Sequence, residues 1–354
     1  MEPTDPELTP LDELFLERAE ELAARAIGNT APNPPVGAVL VRDGAIAGEG
    51  YHHRAGDAHA EIHALRQAGE RARGATLYVS LEPCAHVGRT PPCTPALLAA
   101  GVVRVVAGTA DPTGHGGAGE LRDGGVEVTV SGDPGALDLI DIFAGAYALQ
   151  RPYLALKMAV SLDGAISSRP GVREQLTGEM FRRRVRELRV AYDAVMVGAG
   201  TIRIDDPMLT VRPAHRRLRP YARIVACERA PIDPNSRVLD IEQGYAKTII
   251  LAPGALAARL DDLRGKAEIV AVGPPESECL DLAAALRALR DRGIYSVLCE
   301  GGPTLAGRLI ENDLADRFYW AIAPRLLRTP TQLQFERVER VGHDVLLAGR
   351  FVHV

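Results

Sequence analysis

Apolar residues near the start of the chain recur at helical spacing. Leu14, Leu16, Ala19, Leu22, Ala23 and Ala26 fall on one face of a 3.6-residue period, which predicts an amphipathic helix. Thr9 is placed to cap it and Pro10 to fill its first turn, and Gly28 and Asn29 end it. The pattern then shortens. Val36–Arg42 and Ala45–Glu49 are brief apolar runs around Asp43-Gly44, a pair that favours a two-residue hairpin turn. His59–Arg71 predicts a helix, Thr76–Ser80 a strand, Pro95–Ala100 a helix closed by Gly101, and Val102–Ala107 a buried strand. A Gly-rich stretch, the strand Val126–Val130 and a helix over Ala136–Gln150 follow.

Arg151-Pro152 marks the expected domain boundary. Beyond it, Tyr153–Val160, Ala194–Val197, Arg223–Ala226, Thr248–Leu251, Glu268–Val272 and Tyr295–Cys299 read as strands, with helices around Glu179–Val190 and Leu280–Arg292. Strands alternating with helices imply a mainly parallel sheet covered on both faces. The chain is therefore read as α/β, with one domain over residues 1–150 and a second over 151–354. At roughly 150 residues per domain, a length of 354 agrees.

Charge and composition narrow the function. Lys+Arg 41 against Asp+Glu 46 leaves a net −5, and aromatics make up 5%. Neither a basic groove nor a set of stacking rings for nucleic acid is evident. No apolar run approaches the ~18 residues of a membrane span. The acidic start lacks the cationic and apolar regions of a secretion signal, so a cytoplasmic location is expected. Five cysteines are too few and too odd in number for a disulfide framework.

The chemistry concentrates in His59-Ala60-Glu61, Pro83-Cys84 and Cys93. One imidazole and two thiolates suit Zn²⁺ and leave a fourth position for water. Zinc at an open site lowers the pKa of water towards neutrality. Hydrolytic deamination also needs a group that takes the water's proton and returns it to the leaving amine, and Glu61 is that candidate. Residues at i and i+2 share no helix face, so His59 and Glu61 serve one metal only if it sits off the helix's N-terminal end. The competing readings are a core histidine with two core cysteines, and a structural zinc completed by His86 or His63.

H-x-E followed by P-C-x-x-C is the signature of zinc base deaminases, and here the cysteines stand wider apart. Asn33-Pro34-Pro35-Val36-Gly37, His59-Ala60-Glu61 and the run Glu82-Pro83-Cys84 through Thr90-Pro91-Pro92-Cys93 resemble the bifunctional riboflavin-biosynthesis deaminase/reductases. The resemblance implies an N-terminal cytidine-deaminase-like domain, a three-layer α/β/α arrangement. It also implies a phosphorylated pyrimidine substrate, a diamino-pyrimidinone bearing a ribosylamino 5-phosphate that loses ammonia to give the uracil. Asn33, His52, His86 and Arg89 fall where that family lines its substrate pocket, with Arg89 in place of the usual Lys. Ala118 takes the place of a family Lys in a Gly-rich loop, so a pocket contact is missing or comes from elsewhere.

The second half resembles the same family's dihydrofolate-reductase-like α/β domain, which uses NADPH to reduce the ribosyl group to ribityl. The segments are Lys157–Gly164, Gly198-Ala199-Gly200-Thr201, Asp205–Arg212 and Glu300-Gly301-Gly302-Pro303-Thr304-Leu305. Glycine pairs at strand-to-helix turns let backbone N–H groups approach phosphate. By position, Val160, Thr201, Asp205, Gly301, Gly302, Pro303, Thr304 and Leu305 match cofactor contacts, and Gln175 stands at a cofactor-contacting aromatic. Arg189, Leu209, Arg212 and Glu300 match substrate contacts, and Lys157 matches a cation near the reacting carbon. Arg173, Gln175 and Cys227-Glu228 depart from the family pattern. A carboxylate at Glu228 would repel a 2′-phosphate, so a drift towards NADH is expected. Homo-oligomerisation, as dimer or tetramer through the reductase half, is implied by the resemblance. Two other functions compete: a deaminase whose second half is an inactive dimerisation module, and a nucleic-acid base deaminase.

Overall fold

The structure, a computed structural model, describes residues 8–169, 171–172, 174–211, 217–229, 231–240, 245–328 and 331–352. It divides into two compact units, one from Met1–Arg151 with Arg216–Arg219 and the other from Pro152–His215 with Pro220–Val354.

In the first unit the chain runs α1 (Pro10–Ala24), β1 (Gly37–Arg42), β2 (Ala45–Tyr51), α2 (Ala60–Ala68), β3 (Thr76–Val79), α3 (Thr94–Ala100), β4 (Arg104–Ala107), α4 (Ala118–Asp123), β5 (Glu127–Val130) and α5 (Pro134–Leu149). The five strands form one sheet in the order β2-β1-β3-β4-β5. β1 is antiparallel to its neighbours, whereas β3, β4 and β5 run parallel. Thr9 and Asp12 cap α1 reciprocally, each side chain accepting the other's backbone N–H at 3.2 and 3.1 Å. The hairpin turn falls on Asp43-Gly44, both with positive φ (51° and 75°), as that pair favours.

Period-2 alternation builds the layers. Val39, Val41, Tyr78 and Val106 pack with Phe15, Ala19 and Leu22 of α1. Their neighbours Ala38, Leu40, Leu77, Val79 and Val105 pack on the opposite face with Ala60, Ala64, Leu97 and Leu121. This is a three-layer α/β/α arrangement. Two glycines seat α2 on the sheet: a Cβ at Gly48 would stand 2.3 Å from the Ala64 carbonyl, and one at Gly50 2.4 Å from the Cβ of His63. α2 is shorter than the sequence suggests because Gly69, at φ 56°, ends it and a 3₁₀ turn completes the segment. α4 emerges from the Gly-rich stretch.

The second unit contains β6 (Tyr153–Ser161), α6 (Glu179–Ala191), β7 (Ala194–Gly198), α7 (Ala199–Asp205), β8 (Tyr221–Ala226), β9 (Tyr245–Pro253), α8 (Gly254–Ala257), β10 (Ala267–Val272), α9 (Leu282–Arg290), β11 (Ser296–Cys299), α10 (Pro303–Glu311), β12 (Arg317–Ala323), β13 (Arg325–Leu326), β14 (Thr331–Val341) and β15 (Asp344–Val352). Among the described residues seven strands form a parallel sheet in the order β10-β9-β8-β7-β11-β6-β12. Its two faces carry separate cores, one with Leu156, Met196, Ile224 and Leu251, the other with Val195, Val197, Val225 and Ile250. β13, β14 and β15 form a further antiparallel sheet. The sequence reading stops its strands at Cys299. β12 and the hairpin escape it because they lack a buried apolar run: Phe318, Trp320 and Ile322 alternate outward, and the hairpin is largely exposed. No helix among the described residues is long and apolar enough to cross a membrane.

Candidate functional site

In the first unit His59 is the N-cap of α2 and Cys93 that of α3. The two cysteine segments are tied together by bonds from the N–H groups of Cys93 and Thr94 to the Cys84 carbonyl, 3.1 and 3.3 Å. Nδ1 of His59 lies 3.5 Å from Cys84 Sγ and 3.3 Å from Cys93 Sγ. Tetrahedral zinc, with Zn–S near 2.3 Å and Zn–N near 2.0–2.1 Å, sets such nitrogen–sulfur separations at roughly 3.5 Å. The donor set fits zinc. Among the described residues no other His, Cys or carboxylate joins this group; His63 stacks on His53 and His86 meets His115 edge-on. That leaves three protein donors, the number of an open site.

Thr90 was not anticipated from the sequence. Its hydroxyl lies 3.1 Å from Nε2 of His59, so with Nδ1 facing the metal position the proton sits on Nε2 and points at Thr90. Glu61, in the first turn of α2, is buried, and its Oε2 has no hydrogen-bond partner. Burial pushes its carboxyl above the ordinary range, against the opposing charge of His59. A buried carboxylate with an unengaged oxygen next to a metal position is equipped to exchange protons with a bound water.

Around this centre, Asn33 Nδ2 lies 3.1 Å from His52 Nε2, and His52 Nδ1 lies 3.1 Å from the Ala58 carbonyl. His52 is 2% exposed, and burial lowers its pKa. It is thus a neutral imidazole that orients the Asn33 amide. His86 and Arg89 are exposed. Ala118 is buried and supplies no cation; its N–H donates to Glu82 Oε1 at 2.8 Å, and Asp111 N–H donates to Glu82 Oε2 at 3.1 Å. Glu82 therefore pins the Gly-rich loop, and that loop brings His115 to 4.9 Å from His86, ring centre to ring centre.

In the second unit a cleft of about 710 Å³ opens across the carboxyl ends of β6, β11, β7 and β8. Lys157, Gln175, Thr201, Asp205, Glu300 and the run Gly301-Gly302-Pro303-Thr304-Leu305 all line it. Gly302 caps α10 and Pro303 opens it, so the next backbone N–H groups are free for an anion. Arg189 grips Glu300 through two bonds, 2.5 and 3.0 Å, and donates to the Thr210 carbonyl at 2.9 Å. Burial alone would raise Glu300, but Arg189 and Lys157 hold it below the ordinary range. Lys157 is pushed down by burial, against Glu300. Val160 and Leu209 are buried, and neither lines the cleft; Leu209 packs in the core beside Ile202 and Val211. Gln175 presents its carbonyl to Arg325 at 3.0 Å. Glu228 is ion-paired with Arg308 at 2.7 Å. Arg212 and Arg173 lie outside the described residues.

Comparison with known proteins agrees with both halves. Residues 9–109 match the cytidine and deoxycytidylate deaminase zinc-binding region, and residues 152–347 match the RibD C-terminal domain. The chain is 38% identical to the riboflavin biosynthesis protein RibD of Escherichia coli K12, covering 95% of this chain and 98% of that protein. It is 34% identical to the RibD of Aquifex aeolicus over 95% of this chain and 98% of the relative. Among solved structures, Acinetobacter baumannii RibD superposes with a TM-score of 0.74 at 31% identity, covering 97% and 99% of the two chains. A Thermotoga maritima diaminohydroxyphosphoribosylaminopyrimidine deaminase/5-amino-6-(5-phosphoribosylamino)uracil reductase gives 0.72 at 32% identity with the same coverage. With both domains present and matched nearly end to end, the chain belongs to the RibD family of bifunctional riboflavin-biosynthesis deaminase/reductases.

Proposed function

We propose that the first unit deaminates a 2,5-diamino-6-(ribosylamino)pyrimidinone 5′-phosphate and that the second reduces the ribosyl chain of the product to ribityl. The observation that carries the reading is the His59, Cys84 and Cys93 donor set beside a buried, unpartnered Glu61 oxygen. Zinc held there supplies the Lewis acidity that makes water nucleophilic near neutral pH. Water adds to the ring carbon that bears the exocyclic amine. Glu61 carries the first proton of that water to the ring nitrogen, then moves the proton of the added hydroxyl to the amine, so that the carbonyl forms as the C–N bond breaks and ammonia leaves. Asn33, held by His52, and His86 and Arg89 at the rim bind the substrate.

NADPH bound in the cleft would supply a hydride for C1′ of the ring-opened ribosyl imine. Lys157 places a cation at the reacting carbon and holds a proton for the imine nitrogen. Glu300 fixes Arg189 and lies within electrostatic reach of Lys157, and Gly301–Leu305 receives the cofactor phosphates. Thr201 and Asp205 line the same cofactor side.

The protein works in the cytoplasm, where thiolate ligands stay reduced; its five cysteines are free. It self-associates through the reductase unit. Support comes from Phe318, Trp320 and Ile322 on edge strand β12 and from Val338, Val345 and Phe351 on the hairpin, all exposed, because apolar surface on an edge strand seeks a partner. A monomer in sedimentation at micromolar concentration would contradict this. Ammonia release that vanishes on chelation and returns with zinc is the expected result for the deaminase, and release indifferent to metal would overturn it.

A further inference from the structure

The cleft carries charge beyond what the reduction uses. Glu228 and Arg229 follow β8, Arg203 lies in α7 and Arg308 in α10, and all four line the cleft. Lys157 is on β6, which β11 and β7 separate from β8. Three inter-strand steps of about 4.8 Å put these ends ~14 Å apart. Glu228 and Arg308 are paired at 2.7 Å, with side chains 28% and 29% exposed. Arg308 is fixed further by a 2.7 Å bond to the Leu280 carbonyl. Arg203 and Arg229 have no ion-pair partner among the described residues.

The pairing changes how Glu228 acts on an anion, without removing its opposition to one. An isolated carboxylate would repel an anion, but this one is engaged by a single guanidinium. Three arginines less Glu228 and Asp205, which lines the same side, leave a net charge of +1 at this end. A phosphate monoester carries about −1.5 to −2 at pH 7, and guanidinium forks match its oxygens.

We propose that Arg203 and Arg229 receive a phosphate on the adenosine ribose of the dinucleotide, and that Glu228, through its hold on Arg308, sets how strongly the phosphorylated cofactor is preferred. The proposal rests on the reductase reading above. While Glu228 holds Arg308, the third guanidinium is withheld from the ligand. Removing the carboxylate releases it and strengthens the preference, whereas a cleft in which Glu228 plays no part would keep the preference unchanged.

Adenosine 2′,5′-bisphosphate and adenosine 5′-monophosphate differ only in the phosphate at issue, and calorimetric titration of each into the full chain reads the subsite without turnover. The bisphosphate is expected to bind about tenfold tighter or more, with the advantage shrinking as salt rises. Arg229→Ala and Arg203→Ala each reduce that advantage by about five- to tenfold, and retained monophosphate binding marks each variant as folded. Glu228→Gln raises the advantage by about three- to tenfold. Equal affinities in the wild type, or an advantage untouched by both arginine substitutions, overturn the phosphate site. An advantage unchanged in Glu228→Gln overturns the role of Glu228. If NADPH itself shows no fluorescence change on mixing, the reductase reading fails and the subsite with it; NADPH binding with equal nucleotide affinities fails the subsite alone.

Discussion

Thr90 Oγ1 lies 3.1 Å from Nε2 of His59, while Nδ1 of the same ring faces Cys84 and Cys93 at 3.5 and 3.3 Å. The hydroxyl fixes which ring nitrogen is free to meet a metal. Outer partners of this kind contribute about 10- to 100-fold in metal affinity. Thr90→Val, which keeps the shape and removes the acceptor, is expected to weaken zinc by that factor in a chelator competition. Unchanged affinity would mean that the thiolates alone orient the ring.

In the proposed mechanism Glu61 exchanges protons and does not hold the metal. Glu61→Gln is therefore expected to keep stoichiometric zinc by elemental analysis and to lose deamination by about 10²- to 10⁴-fold. Loss of zinc in this variant would make Glu61 a ligand, and wild-type turnover would remove it from the mechanism.

The two reactions reside in different units, so they separate by mutation. Lys157→Ala is expected to lower reduction by at least about 10²-fold with ammonia release unaffected. A parallel fall in both rates would contradict two independent sites.

Asp12 sets an acid limit on the first unit. Burial alone would raise its carboxyl, but Arg104 at 2.6 Å, Thr9 and Tyr78 outweigh this and hold it well below the ordinary range. A depressed folded value stabilises above the unfolded pKa of about 3.9 and is lost as pH falls through the folded one. Asp12→Asn leaves Arg104 without this partner and is expected to cost roughly 2 to 4 kcal/mol near neutral pH. In denaturant unfolding the gap to wild type is expected to narrow below pH 4; a gap constant with pH would show that ionisation plays no part.

The candidate metal donors are legible in the sequence because His59, Cys84 and Cys93, which the fold brings together, carry their chemistry in their type and spacing. Thr90 and Glu82 are not, since a threonine in Thr-Pro-Pro-Cys and a glutamate before Pro83 gain their roles only when the loops close on them. The first unit's layers follow from alternation in β1, β3 and β4. β12 and the β14–β15 hairpin lack that alternation towards a core and leave apolar residues outside, so no burial signal marks them. Glu228 reads as an isolated charge until Arg308, 80 residues away in sequence, is seen to engage it.

The most direct test follows product mass after the diamino-pyrimidinone phosphate is incubated with zinc-loaded protein. Without NADPH the account predicts a gain of about one mass unit as an amine is exchanged for oxygen, and with NADPH a further gain of about two from hydride plus proton. An unchanged substrate mass, or a first shift that stops when NADPH is present, would contradict it.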